Sequence, residues 1–220
     1  MVPHCSAGGG YNARMVLPAV VLAAGASSRM GQPKALLRTG DRTFVRHLLD
    51  TLHDAGLDDI LVVTGLHDRE IREELALPGT PLVRVVHNPH HARGQLSSLQ
   101  AALAAIDHPG VEAMIVALVD QPMVRPATVR ALVEAWRATG APVVRPRLGR
   151  RHGHPVIFDR AVFDALRASP LETGAREVVR ACGDAVVDVE VSDEGVVVDV
   201  DTPEDYARLI ARSGAETHGS

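Results

Sequence analysis

Apolar positions along this chain alternate between two rhythms. Short continuous runs at 19–23, 60–64, 83–87 and 113–119 have the length and β-branched content of buried strands. Between them the spacing is helical. Residues 43–55 place Phe44, Leu48 and Leu52 on one face with Val45 and Leu49 beside them, and 68–75 and 96–106 also read as helices. A further helix runs to about Ala138, with Pro126 in its first turn. This alternation predicts a mainly parallel sheet covered on both faces and joined by right-handed crossovers. After Gly140 the rhythm changes. Residues 142–147 and 155–158 read as strands joined by a basic turn over 148–154. Short helices follow at 160–167 and 174–181, strands at 186–191 and 196–200, and a closing helix at 203–211 capped by Thr202. This half reads as a lobe added to the same sheet.

Composition narrows the picture. A chain of 220 residues, 46% hydrophobic, supports one domain, placed at 15–212 between a disordered leader over 1–14 and a flexible tail over 213–220. Aromatics reach only 3%, so Val, Leu, Ile and Ala must fill the core. The net charge of −4 and the absence of any Lys/Arg block argue against nucleic-acid or anionic-membrane partners. No apolar run approaches the ~20 residues of a membrane span. Cys5 and Cys182 offer no zinc spacing and suit a reducing, cytoplasmic setting. The leader carries a Gly-Gly-Gly run rather than the apolar core of a signal peptide, and Met15 offers an alternative start.

The first strand runs into Leu22-Ala-Ala-Gly-Ala-Ser-Ser-Arg-Met-Gly-Gln-Pro-Lys34. Small residues after a strand can turn backbone N–H groups inward around an anion, and Arg29 and Lys34 add a planar fork and a point charge. The residues alone permit two readings, a polyphosphate loop or a tight turn with two solvated cations. The spacing matches neither a Walker loop nor a dinucleotide fingerprint. Asp120 stands where the run 113–119 stops, a position suited either to Mg²⁺ or to capping the turn that Pro122 favours. Asp199 and Asp201 fall on one side if a strand persists through them. Glu204 and Asp205 suit the first turn of the closing helix. His90 and His91 are adjacent, which disfavours joint chelation and favours a solvated loop. His152 and His154 belong to a surface hairpin or to a wall around a ligand.

Five segments in order resemble the MobA-like NTP transferases, and within them the molybdenum cofactor cytidylyltransferases. They are the glycine turn, Asn88-Pro-His-His-Ala-Arg-Gly-Gln-Leu-Ser-Ser-Leu99, Val119-Asp-Gln-Pro-Met-Val124, Gly153-His-Pro-Val156 and Asp199-Val-Asp-Thr-Pro-Glu-Asp205. The resemblance spans about 17–210. It implies a three-layer, Rossmann-like α/β fold that transfers CMP, or another nucleoside monophosphate, from an NTP to a phosphorylated acceptor. Molybdopterin is the acceptor it favours, with a molybdoenzyme or its chaperone as a further partner. Catalytic roles then fall to Arg29, Lys34 and Asp120, and Mg²⁺ to Asp120 and Asp201. Leu22, Ala23, Ala24, Gly25, Ser27, Ser28, Arg29, Lys34, Gly94, Gln95, Ser97 and Ser98 would bind the nucleotide. Ala24 and the Gly-Gln-x-Ser-Ser form favour CTP. Gln121, Gly153 and His154 would meet the acceptor. Other readings are a nicotinamide-dependent oxidoreductase acting on a heteroaromatic pigment, a pterin-carrying chaperone, and a transferase using sugar or alcohol phosphates.

Overall fold

In a computed structural model of the chain, residues 16–25 and 30–216 are described. The expected leader, Cys5 and Met15, and Ser27, Ser28 and Arg29 of the glycine turn, lie outside the described residues. The first half supplies β1 (Ala19–Leu22), β2 (Arg38–Thr39), β3 (Arg42–Thr43), α1 (Phe44–Asp54), β4 (Ile60–Thr64), α2 (Asp68–Leu75), β5 (Arg84–His87), α3 (Gln95–Ile106), β6 (Ala113–Leu118) and α4 (Pro126–Thr139). The second half adds β7 (Val143–Leu148), β8 (Arg151–His152), β9 (Val156–Asp159), α5 (Phe163–Ala168), α6 (Arg176–Ala181), β10 (Val186–Glu190) and α7 (Pro203–Glu216).

The main sheet runs β10-β7-β9-β6-β1-β4-β5, with β8 paired to β7. It is parallel except where β9 inserts antiparallel between β6 and β7, and where β8 folds back on β7. Period-two alternation divides each central strand between two cores. Ala19, Val21, Ile60, Val62, Ile115 and Ala117 face the layer of α1 and α4. Val20, Leu22, Leu61, Val63, Met114 and Val116 face the layer of α3 and α5. The result is the expected three-layer arrangement, and the second half extends the same sheet.

Two expectations fail locally. Residues 196–200 do not form a strand; a 3₁₀ turn at Glu194–Val196 leads into irregular chain. Val196 and Val200 are apolar because they are buried in the core. Their main chains bond outside any ladder: the Val196 carbonyl accepts from His154 N–H at 3.0 Å, and Val200 N–H donates to the Asp120 carbonyl at 2.9 Å. A short apolar run reports burial without distinguishing these cases. The closing helix also continues past Ala211 to Glu216. The β2–β3 hairpin went unread, although Gly40-Asp41 between Thr39 and Arg42 is a two-residue turn signal.

The segment after β10 is anchored by the buried Asp193. Its carboxylate accepts from Arg125 N–H at 2.8 Å and Thr128 Oγ1 at 2.7 Å, at the start of α4, and from Gly195 N–H at 3.0 Å. Asp193→Ala should orphan these donors and cost about 2–4 kcal/mol. Urea unfolding should show a lower midpoint at an unchanged slope.

Candidate functional site

The site opens at the carboxyl ends of β1 and β6, where α/β sheets collect ligands. β1 stops at Leu22, and Ala23 N–H still bonds to Val63 at 2.9 Å before the chain turns off. Past β6, Gln121 N–H closes a turn on Leu118 at 3.0 Å, which carries Asp120 and Gln121 over the sheet edge. Lys34 enters from a 3₁₀ turn, Lys34–Leu36. Asp201 arrives just before α7, where Asp205 accepts from Asp201 N–H at 3.1 Å and Thr202 N–H at 2.9 Å. Thr202 Oγ1 accepts in turn from Asp205 N–H, which makes a reciprocal cap. These bonds hold the Asp205 carboxyl down at about 2, led by the Thr202 hydroxyl and Arg208.

Lys34, Asp120 and Asp201 meet directly. The Lys34 ammonium donates to Asp120 Oδ2 at 3.2 Å and to Asp201 Oδ1. Burial pulls the Lys34 pKa down, but the Asp201 hydrogen bond and the Asp120 charge outweigh it and leave it raised. Asp120 is raised, because its loss of water exceeds the help from Lys34, and the charges of Asp199 and Asp201 add to the rise. Its Oδ1 is buried and accepts no hydrogen bond among the described residues. Asp199 does not share the Lys34 contact seen for Asp201; it accepts from Gln121 Nε2 at 2.7 Å. Without a strand through 199–201, the same-side spacing does not apply.

Two cavities adjoin here. One, of about 540 Å³, is bounded by 22–25, Lys34, Gly94, Gln95, Ser98, Asp120 and Asp201. The other, of about 680 Å³, has an apolar floor from Leu96, Leu99, Val116 and Phe158 and a basic rim that includes Arg151 and Arg176. Gln121, Gly153 and His154 line it. Leu22, Gln95, Leu118 and Asp199 border both cavities. Ser97 is turned inward instead: its hydroxyl donates toward the His90 and Gly94 carbonyls, and Asn88 Nδ2 donates to Ser97 and Ser98 at 2.9 and 3.0 Å. It thereby fixes the loop that carries Gly94 and Gln95.

Sequence reasoning missed two residues. His91, read as part of a solvated loop, lines the smaller cavity, and its Nδ1 is buried without a hydrogen bond among the described residues. Gly65, just after β4, permits this. A Cβ there would stand 2.5 Å from the Ala24 carbonyl oxygen and 2.8 Å from His91 Cβ. The glycine after an apolar run was a signal for close backbone approach.

His154, in the wall of the second cavity, has its pKa pushed down to about 4 by burial, against the pull of Asp199 and with the push of Arg176. The depressed native value means that between about pH 6.5 and 4 the unfolded chain takes up a proton that the native chain refuses. Stability is therefore complete above this window and falls as pH drops through it, by up to about 3 kcal/mol. Urea unfolding at pH 7 and pH 4.5 should show a smaller loss in His154→Gln than in the wild type.

Comparison with known proteins places this geometry. The MobA-like NTP transferase domain matches residues 19–186. A nicotine blue oxidoreductase from Paenarthrobacter nicotinovorans is 33% identical over 199 residues, 87% of this chain and 95% of the relative. The molybdenum cofactor cytidylyltransferase of Escherichia coli K12 is 28% identical over 190 residues, 85% of this chain and 92% of the relative. The crystal structure of Rv0371c from Mycobacterium tuberculosis H37Rv is 36% identical with a TM-score of 0.76, covering 90% of this chain and 98% of that one. Rv0371c has also been solved in complex with manganese, at 35% identity, a TM-score of 0.72 and coverage of 90% and 98%. No helix among the described residues is long and apolar enough to cross a membrane.

Proposed function

Because the chain belongs to the MobA-like NTP transferase family, we propose that it transfers CMP from CTP to a phosphorylated acceptor, molybdopterin in first place, and releases pyrophosphate. One observation carries this reading: Lys34, Asp120 and Asp201 converge in the cavity that Leu22 to Gly25 border, and Asp199 joins it to a second cavity with an apolar floor and a basic rim. An acceptor phosphate oxygen attacks the α-phosphorus, a new P–O bond forms, and the bond to pyrophosphate breaks. The acceptor is already an anion, so positioning and charge stabilisation do the chemistry.

Mg²⁺ suits the acids. The buried Asp120 Oδ1, without a hydrogen bond among the described residues, is a hard oxygen donor. Two carboxylates together with substrate phosphates are the usual way in which Mg²⁺ is held. Asp120 and Asp201 would hold Mg²⁺, which when bound supplies positive charge to the triphosphate. Lys34 and Arg29 serve the β- and γ-phosphates. The nucleoside and its phosphates would lie in the cavity bounded by Leu22, Ala23, Ala24, Gly25, Gly94, Gln95 and Ser98, with Ser27 and Ser28 assigned to the same role by the family motif, and Ser97 supports the loop of Gly94 and Gln95. Gln121, Gly153 and His154 face the acceptor, with His154 neutral at physiological pH.

The test is pyrophosphate release from CTP, GTP, ATP and UTP, each with molybdopterin and Mg²⁺. CTP should turn over fastest, and no release from any triphosphate would defeat the reading. A second reading follows from the 33% identity to the nicotine blue oxidoreductase. The apolar floor suits a flat heteroaromatic ring, and NADPH binding without CTP binding would favour that activity.

A further inference from the structure

The contact between Lys34 and its two acids is not an ordinary surface pair. The Lys34 and Asp120 side chains are only 14% and 26% exposed, and Asp201 closes the triad from the more open side at 41%. The acids come from distant parts of the chain, yet each is tied down through hydrogen bonds to the main chain beside it. Val200 N–H reaches the Asp120 carbonyl at 2.9 Å, and the Asp205 carboxylate holds Asp201 N–H at 3.1 Å. Two carboxylates fixed this way repel each other unless a cation stands with them. Lys34 provides it, while Asp120 Oδ1 stays buried with no hydrogen bond among the described residues.

We propose that Lys34 and a divalent ion are alternative partners of the same acid pair, so that Lys34 must leave Asp120 and Asp201 for the ion to take them. This rests on the reading that these acids hold metal. A divalent ion alone would have to displace an ammonium from a partly buried position and break its ion pairs with both acids. A triphosphate changes the balance, because it offers that ammonium new oxygen partners within the same cavity. Metal and nucleotide then enter as a coupled pair, and each raises the affinity of the other by the same factor. Lys34 thus acts as a positioning residue before it acts on phosphate. It keeps the acids together and reports whether a nucleotide has arrived.

The experiment measures Mn²⁺ binding to the full chain by the electron paramagnetic resonance of free Mn²⁺, with and without a non-hydrolysable CTP analogue. Without the analogue, Lys34→Gln should bind Mn²⁺ about tenfold or more tightly than the wild type, and Lys34→Gln/Asp120→Asn should lose that gain. Adding the analogue should raise Mn²⁺ affinity more in the wild type than in Lys34→Gln, since only the wild type has an ammonium to release. Equal affinities, or equal gains, would overturn the exchange while leaving the metal role of the acids intact. Failure of every form to bind Mn²⁺ beyond what the analogue binds in solution would overturn both. A second measurement needs no variant. The Lys34 ammonium resonance in the wild type should shift when Mg²⁺ and the analogue are added together, and an unchanged resonance with both bound would overturn the proposal.

Discussion

Asp120→Asn should leave a folded protein whose pyrophosphate release is roughly 10²–10³-fold slower, the size of effect expected when one preorganised electrostatic partner of a transition state is removed. The amide keeps an oxygen that can accept from Lys34 but lacks the charge that would hold a metal ion. Stability should not fall with activity. Burial raises the Asp120 pKa above its ordinary 3.8, so between 3.8 and the raised value the native chain retains a proton that the unfolded chain has released. Stability therefore declines as pH rises through that window, and ionised Asp120 is a burden at neutral pH. Asn removes the titration. Thermal unfolding at pH 7 should show a midpoint no lower than that of the wild type, in keeping with sites that sacrifice stability for function. A variant with near-normal turnover would remove Asp120 from the chemistry.

Gly153→Ala should fail in the opposite manner, losing stability and activity together. A Cβ at 153 would stand 1.7 Å from the Val196 carbonyl oxygen and 2.5 Å from its carbon. Neither side can yield easily. The Val196 carbonyl accepts from His154 N–H at 3.0 Å, and Gly195 beside it is itself pressed on Met123, where a Cβ would lie 2.3 Å from the carbonyl oxygen. Overpacking against backbone should cost about 3 kcal/mol or more, a fall of roughly 6–12 °C for a domain of this size. The displaced segment carries Asp199 and Asp201, so turnover should drop as well. Calorimetry beside a pyrophosphate assay separates this outcome from that of Asp120→Asn.

These two residues also show what the sequence disclosed. Asp120 was legible because a buried apolar run ends beside it, and a strand end is a place where ligands gather. The contact of Gly153 with Val196 was not, because it joins segments far apart in the chain and leaves no periodic trace. The apolar character of 196–200 misled for a related reason: burial of irregular chain in the core produces the same run of valines as a ladder. Once that strand is removed, Asp199 and Asp201 part company, one taking Gln121 and the other Lys34. His91 belongs with these cases. Its neighbours Ala24 and Gly65 come from different strand ends, and only the folded sheet brings them together.

The link between Val200 and Asp120 runs from peptide to peptide, with no side chain on either end. Drift in residue identity can scarcely change the gap between the two carboxylate-bearing segments. The second cavity is walled instead by side chains of the later half, Arg151, His154 and Arg176 among them. Lineages built on such a plan can exchange one cargo for another by altering those walls, while the machinery that handles phosphates keeps its dimensions.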